Sequence, residues 1–166
     1  MTAIPPKPGA LVFRGTFVAK KPRASMSKIT VEAFNTLTER ELPVAANYGF
    51  RAEEIGDGQA RVRMPFNPDF TRPGGTISGP AMMALTDFGM YAAVMGAIGE
   101  VALAVTTNLN INFLRLPEQV DVVADCRVMK LGKRLAVIEV TLFSEGMKDP
   151  IAHATGTYSI PPEAGR

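Results

Sequence analysis

The sequence predicts an α+β domain in which an antiparallel sheet packs on one long central helix. Three observations lead there. Residues 79–98 are apolar on every side and carry a single formal charge, Asp87, the pattern of a helix enclosed by other structure. The segments that follow alternate apolar and polar residues in the manner of half-buried strands. An amphipathic helix and two shorter strands precede it. A chain of 166 residues suits one domain, and 46% apolar residues can fill a substantial core.

The elements are expected in the following order. Residues 1–26 read as an irregular or extended tail, with Pro5, Pro6 and Pro8 near its start and Lys20, Lys21 and Arg23 near its end. The folded domain is expected over 27–162. Val31, Phe34, Leu37 and Leu42 recur at helical spacing, so 28–41 reads as a helix that Pro43 stops. Residues 48–55 and 60–64 read as strands joined by the turn Gly56-Asp57-Gly58. The stretch 65–78 is a loop punctuated by Pro65, Pro68, Pro73, Gly74 and Gly75. Ser78 then suits an N-cap and Pro80 the first turn of the central helix, with Gly96 and Gly99 marking its end. Residues 105–114 alternate: Val105, Thr107, Leu109, Ile111 and Phe113 against Thr106, Asn108, Asn110 and Asn112. Residues 120–130 place Val120, Val122, Ala124, Cys126 and Val128 on one face. Leu131-Gly132-Lys133 is a turn, 134–143 returns, and 151–160 is the last strand.

Composition narrows the function. Eighteen Lys and Arg against sixteen Asp and Glu leave a net charge of +2, too even a balance for a nucleic-acid binder. One cysteine, Cys126, excludes an internal disulfide framework and a Cys-rich zinc site. One histidine, His153, excludes a multi-histidine metal site within one chain, and no motif places it in a Ser-His-Asp triad. The start lacks the layout of a secretory signal, so a cytoplasmic protein is expected. The helix 79–98 is long enough for a bilayer, but a central Asp costs roughly 3 kcal/mol there. The segment is also rich in Ala, Met and Gly with only one Leu, so a core helix is expected rather than a membrane span.

Asp87 is the most informative residue. A carboxylate in an apolar helix is expensive unless it is partnered or used. It is either an interface Asp, bonded to Thr86 or a neighbouring chain, or a general base or nucleophile. Gly74-Gly75-Thr76-Ile77-Ser78-Gly79-Pro80 leads into the same helix. It is either a flexible loop with an N-cap, or a backbone N–H in a positive dipole field that can polarise a carbonyl oxygen. Cys126, alternating with Val residues, reads as a core thiol, and His153 as structural or surface. Lys130, Lys133 and Arg134 cluster at a hairpin, either as a solvated turn or as a contact for phosphate groups.

The pattern Gly75-Thr76-Ile77-Ser78-Gly79, with Asp87 nine residues beyond Ser78, resembles the signature of hotdog-fold thioesterases of the phenylacetate-pathway (PaaI-like) type. That signature reads Asn-x-x-Gly-x-x-His-Gly-Gly, then Asp nine residues after the His. Thr106-Thr107-Asn108-Leu109-Asn110-Ile111-Asn112-Phe113 is similar to the family's strand after the helix, and Leu131-Gly132-Lys133-Arg134-Leu135-Ala136 to its hairpin. The resemblance covers about residues 27–160. It implies a hotdog fold, an antiparallel sheet wrapped around the central helix. It implies Asp87 and the Gly79 N–H as catalytic groups and Thr106 as a holder of water. Arg72 stands at the family's Asn, Ser78 at its His and Pro80 at its second Gly.

Gly79 and Asp87 are eight residues apart on one helix, about 12 Å along its axis. Groups acting on one carbonyl must approach to about 3 Å. One chain therefore cannot bring both to the same thioester, and the resemblance implies two sites across a dimer, or a dimer of dimers. The expected reaction is hydrolysis of an acyl-CoA thioester. The Gly79 N–H polarises the carbonyl, and a partner's Asp87 activates water or attacks directly. Arg72, Gly75, Ser78, Lys130, Lys133 and Arg134 are the expected substrate contacts. No cofactor is called for, since coenzyme A is part of the substrate, and no nucleic acid or membrane partner is expected. The alternatives are an acyl-CoA-binding protein without turnover, an enoyl-CoA hydratase, and a structural homo-oligomer.

Overall fold

The computed structural model describes residues 26–162. The proline-rich and basic stretch expected as a tail lies almost wholly outside the described residues. Helix α1 (Val31–Glu41) begins at Thr30, whose side chain accepts from the Ala33 N–H. Helix α1 ends at Glu41 as expected, with a break at Leu42 ahead of Pro43, though it starts at Val31 rather than at residue 28. Pro43 has a second role that was not expected. It opens a second short helix, α2 (Pro43–Tyr48), because proline's missing N–H and fixed φ suit a first turn. Tyr48 thus belongs to α2, and Gly49 ends it with φ 68°.

Strands β1 (Arg51–Gly56) and β2 (Gln59–Met64) form the expected hairpin. A single 3-10 turn, Pro68–Phe70, interrupts the following loop. Helix α3 (Gly79–Ile98) then runs 20 residues. It is followed by β3 (Val105–Phe113), β4 (Val122–Leu131), β5 (Leu135–Ser144) and β6 (Ala152–Ser159). The six strands form one antiparallel sheet in the order β1-β2-β4-β5-β6-β3. The inner face of the sheet wraps α3, whose Leu85, Met90, Val94 and Met95 are fully buried against Val62, Ala124, Ile138 and Val140.

Helix and sheet approach closely because α3 carries glycine where it crosses the strands. A Cβ at Gly89 would collide with Cys126 Sγ on β4, and one at Gly96 with the Gly56 carbonyl on β1. Gly96 is therefore a packing residue inside the last turn rather than a stop signal. Gly99, at φ 88°, is the terminator. The helix is long and apolar enough to cross a membrane, yet most of it is buried inside this fold, so it serves as the core helix.

Two edges differ. β1 is flanked by α1, where Asn35 exchanges hydrogen bonds with the Ala52 backbone at 2.8 and 3.0 Å. β3, at the opposite edge, pairs only with β6 among the described residues. Exposed Leu103, Val105, Phe113, Leu114 and Leu116 lie along it.

The alternation expected along β3 breaks at one point. The register runs Thr106↔Tyr158 and then Asn108↔Thr157, so Thr107 is a bulge. Its hydroxyl donates to the Thr157 carbonyl at 3.1 Å. The extra residue rotates Thr106 onto the inner face together with Leu109 and Ile111, the face from which a simple period of two excludes it.

Candidate active site

Asp87 sits midway along α3, half-buried. The partner considered from sequence, Thr86, turns away and donates to the Met82 carbonyl at 2.8 Å. The groups that hold Asp87 come from the sheet instead. Thr106 Oγ1, brought inward by the β3 bulge, donates to Asp87 Oδ1. Tyr158, on β6 beside Thr106, donates to the same oxygen at 2.9 Å and lies 3.1 Å from the Asp87 carbonyl. Tyr158 is only 3% exposed. Burial, reinforced by the adjacent Asp87 charge, pushes its phenol well above the usual tyrosine value, so the hydroxyl keeps its proton. Its ring stacks on Tyr91 with centroids 6.1 Å apart.

Asp87 opens on a cavity of about 550 Å³. Leu37, Leu42, Phe50, Phe88 and Ala104 make its walls largely apolar, with Tyr91, Thr106 and Tyr158 beside the carboxylate. Glu41 is the other acidic residue in its lining.

Gly79 opens elsewhere. It is the first residue of α3, so its N–H has no intrahelical acceptor and lies at the positive end of the helix dipole. Ser78 is the cap by backbone position, but its side chain makes no capping hydrogen bond. The Phe113 ring covers Gly79 so closely that a Cβ there would lie 3.2 Å from it. The surrounding cavity, about 410 Å³, is lined by Arg72, Ser78, Gly79, Met82, Phe113 and Arg115. It shares no residue with the Asp87 cavity. The approach loop is a tight turn in which Arg72 bonds Thr76 through its N–H at 2.9 Å and accepts from Gly75 at 2.9 Å. Gly74 and Gly75 supply the positive φ values of 97° and 78° that this turn needs. Arg72 is exposed at the cavity mouth.

Lys130, Lys133 and Arg134 are exposed at the β4–β5 hairpin and line neither cavity. They nevertheless lie near the Asp87 end of the molecule. Ala136, Tyr158 and Thr106 form one cross-strand row, and the hairpin tip lies just beyond it.

Other residues have simpler places. Cys126 is buried on β4, and its burial raises the thiol far above the ordinary value, which suits a core role. His153 lies on the outer face of β6, 3.1 Å from Glu139. Asn108, Asn110 and Asn112 are exposed. Among the described residues, no three His, Cys, Asp or Glu side chains group so as to hold a metal ion.

Sequence reasoning passed over Tyr158. It lies in a strand recognised from its pattern, but its reach to Asp87 depends on the pairing of β6 with β3, which no local signal specifies.

Residues 74–151 match the thioesterase superfamily. A solved structure of a candidate thioesterase from Silicibacter sp. TM1040 is 39% identical, with a TM-score of 0.76 over 84% of this chain and 97% of that one. The 1,4-dihydroxy-2-naphthoyl-CoA hydrolase of Escherichia coli is 29% identical over 71% of this chain and 85% of its own. A mutant of the phenylacetic acid degradation protein PaaI from Thermus thermophilus shares the fold at 24% identity, with a TM-score of 0.64 over 72% and 99% of the two chains. The chain belongs to the hotdog-fold thioesterase superfamily and is a hydrolase of the thioester-cleaving class.

Proposed function

We propose that this protein hydrolyses acyl-CoA thioesters at sites completed by two copies of the chain. The observation that carries the reading is the Asp87 carboxylate opening on an apolar cavity while the polarising Gly79 N–H opens on a separate one. The acyl group lies in the Asp87 cavity, where Leu37, Leu42, Phe50 and Phe88 give it an apolar bed. The thioester carbonyl meets the Gly79 N–H of the partner copy, where the helix dipole stabilises the developing oxyanion. Asp87 takes a proton from water as the water oxygen bonds to the carbonyl carbon. The C–S bond then breaks, and the proton passes to the departing thiolate.

The edge of β3, which pairs only with β6 among the described residues, supports the two-copy site. Among the described residues it offers unpaired backbone groups flanked by exposed Val105, Phe113 and Leu114, a surface that a second β3 can cover. A two-fold axis there runs the two α3 helices in opposite directions, which sets each Gly79 toward the other chain's Asp87. Arg72 and Arg115 at the Gly79 cavity suit an anionic part of the substrate, and the exposed Lys130, Lys133 and Arg134 suit coenzyme A phosphates. The reading places the reaction in the cytoplasm and requires no added cofactor, nucleic acid or membrane.

A panel of acyl-CoA esters of varied chain length, aromaticity and charge, followed by thiol release, tests it. Turnover of apolar or aromatic acyl-CoAs is the expected result. Absence of thiol release across the whole panel overturns the substrate assignment.

A further inference from the structure

We infer that Tyr158 is a positioning residue that, together with Thr106, clamps one oxygen of Asp87 and so leaves the other as the reacting atom. The inference rests on the reading of Asp87 as the catalytic carboxylate. Both hydroxyls donate to Oδ1: Thr106 from β3, and Tyr158 from β6 at 2.9 Å. Among the described residues, Oδ2 receives no hydrogen bond, and Asp87 faces the apolar cavity. A carboxylate has two chemically equivalent oxygens, and free rotation about χ2 exchanges them. Two donors from different strands remove that freedom. They also stabilise the anion, since hydrogen bonds to the charged form favour it.

The arrangement gives Thr106 a definite part. Its single hydroxyl hydrogen is spent on Asp87, so it can meet a substrate water only as an acceptor. Tyr158 is suited to permanent donation. It is buried, its ring is fixed against Tyr91, and its proton is retained across the range in which a thioesterase works. The phenol is nearer Oδ1 than the Asp87 carbonyl, so its one hydrogen serves the carboxylate.

The titratable and polar groups around Asp87 can be named. Tyr158 faces it from β6, Thr106 from β3 and Tyr91 from the next turn of α3. Glu41 lines the same cavity from α1, held by Arg40 at 2.7 Å, and Glu100 acts on Tyr91. The two hydroxyls are the donors among them that touch Asp87. Removing one therefore withdraws a hydrogen bond that favours the charged form of the base.

The test compares Tyr158→Phe, Thr106→Val and Asp87→Asn by steady-state kinetics across pH, on the best acyl-CoA of the panel. Tyr158→Phe keeps the ring and its stacking. Its kcat is expected to fall roughly 10- to 100-fold with little change in KM, as for loss of a hydrogen bond to a charged group. The acid limb of its pH profile moves to higher pH. Thr106→Val, acting on the same oxygen, moves that limb the same way, and so tests the clamp even if the Tyr158 variant does not fold. A folded Tyr158→Phe protein with wild-type kcat and an unmoved acid limb overturns the inference, provided Asp87→Asn is inactive. So does a loss of kcat with the limb unmoved in both hydroxyl variants, because a merely structural role produces that. An active Asp87→Asn protein overturns the assignment of Asp87 itself, and the inference with it.

Discussion

The two candidate regions of α3 are built on opposite principles. At the helix start, the proposed polarising group is a backbone N–H with no side chain of its own. A glycine turn delivers the chain to it, Phe113 covers it, and Arg72 stands exposed at the mouth. Midway along the helix, the proposed reactive group is a charged side chain held by Thr106 and Tyr158 and walled by apolar residues. Polarisation by a helix end needs only a terminus left open, so many side chains can surround it. A carboxylate in an apolar setting needs specific donors, so its neighbours are constrained. Substitutions at the helix start should therefore retune substrate choice, and substitutions around Asp87 should remove turnover.

The largest expected effect follows from the second region. Asp87→Asn keeps the shape and removes the base, so kcat should fall roughly 10²- to 10⁴-fold while the fold and assembly persist. Steady-state kinetics beside a thermal melt checks this, and a loss of twofold or less would dismiss Asp87 as catalytic.

The first region is sharpened through Arg72. Arginine is a permanent cation without an acceptor, so it cannot do what a water-orienting Asn does, but it can hold an anion. Arg72→Asn should change the ranking of acidic against neutral acyl-CoAs by roughly tenfold, the scale of one charge-assisted contact. One common factor across the panel would dismiss the selectivity role.

A smaller effect is expected where the helix rests on the sheet. Cys126 Sγ packs against Gly89, directly below the Asp87 turn. Cys126→Ser puts a hydroxyl in that contact and should cost about 1–2 kcal/mol of stability by denaturant titration. Turnover should stay within about twofold of wild type. A well-folded, inactive Cys126→Ser protein would move the chemistry away from Asp87.

The smallest effect lies away from both regions. Arg63 on β2 pairs with Glu53, Asp121 and Glu145. Burial works against ionisation of Asp121, but the Phe66 N–H and Arg63 outweigh it and hold the carboxyl below its usual value. Arg63 does the same for the exposed Glu145, and Arg127 with His153 for Glu139. Folded carboxyls with lowered pKa values contribute stability that is present above the ordinary carboxylate range and lost as pH falls through and below it. The melting temperature should therefore decline on acidification through that range, and less so in Arg63→Met. Identical declines in the two proteins would remove the cluster from the account.

Much of this was legible before any coordinates. The bounds of α3 follow from its apolar run between Ser78 and Gly99, broken by the single charge of Asp87, and the hairpins from their turn glycines. Pro43 correctly marks the end of α1 but conceals α2, because a proline that ends one helix can also begin the next. Gly96 misleads because a glycine needed for close packing looks like one needed for termination. The environment of Asp87 was hidden for a different reason. It depends on a one-residue bulge at Thr107 and on β6 lying between β5 and β3, and both are properties of pairing rather than of periodicity. Hence Thr106 could be suspected only through family resemblance, and Tyr158 not at all.

The central claim is that one chain holds two half-sites and that a pair of chains completes them. Complementation tests it most directly. Gly79→Pro removes the N–H at a first-turn position whose preceding residue, Ser78, already has the extended ψ of 151° that proline requires. That variant and Asp87→Asn should each be inactive alone. Unfolded together and refolded as a mixture, half of the dimers should pair one of each, and every mixed dimer carries one intact site of its two. The account predicts recovery of about one quarter of wild-type activity. A mixture no more active than its separate components, with mixed dimers shown to be present, would contradict it.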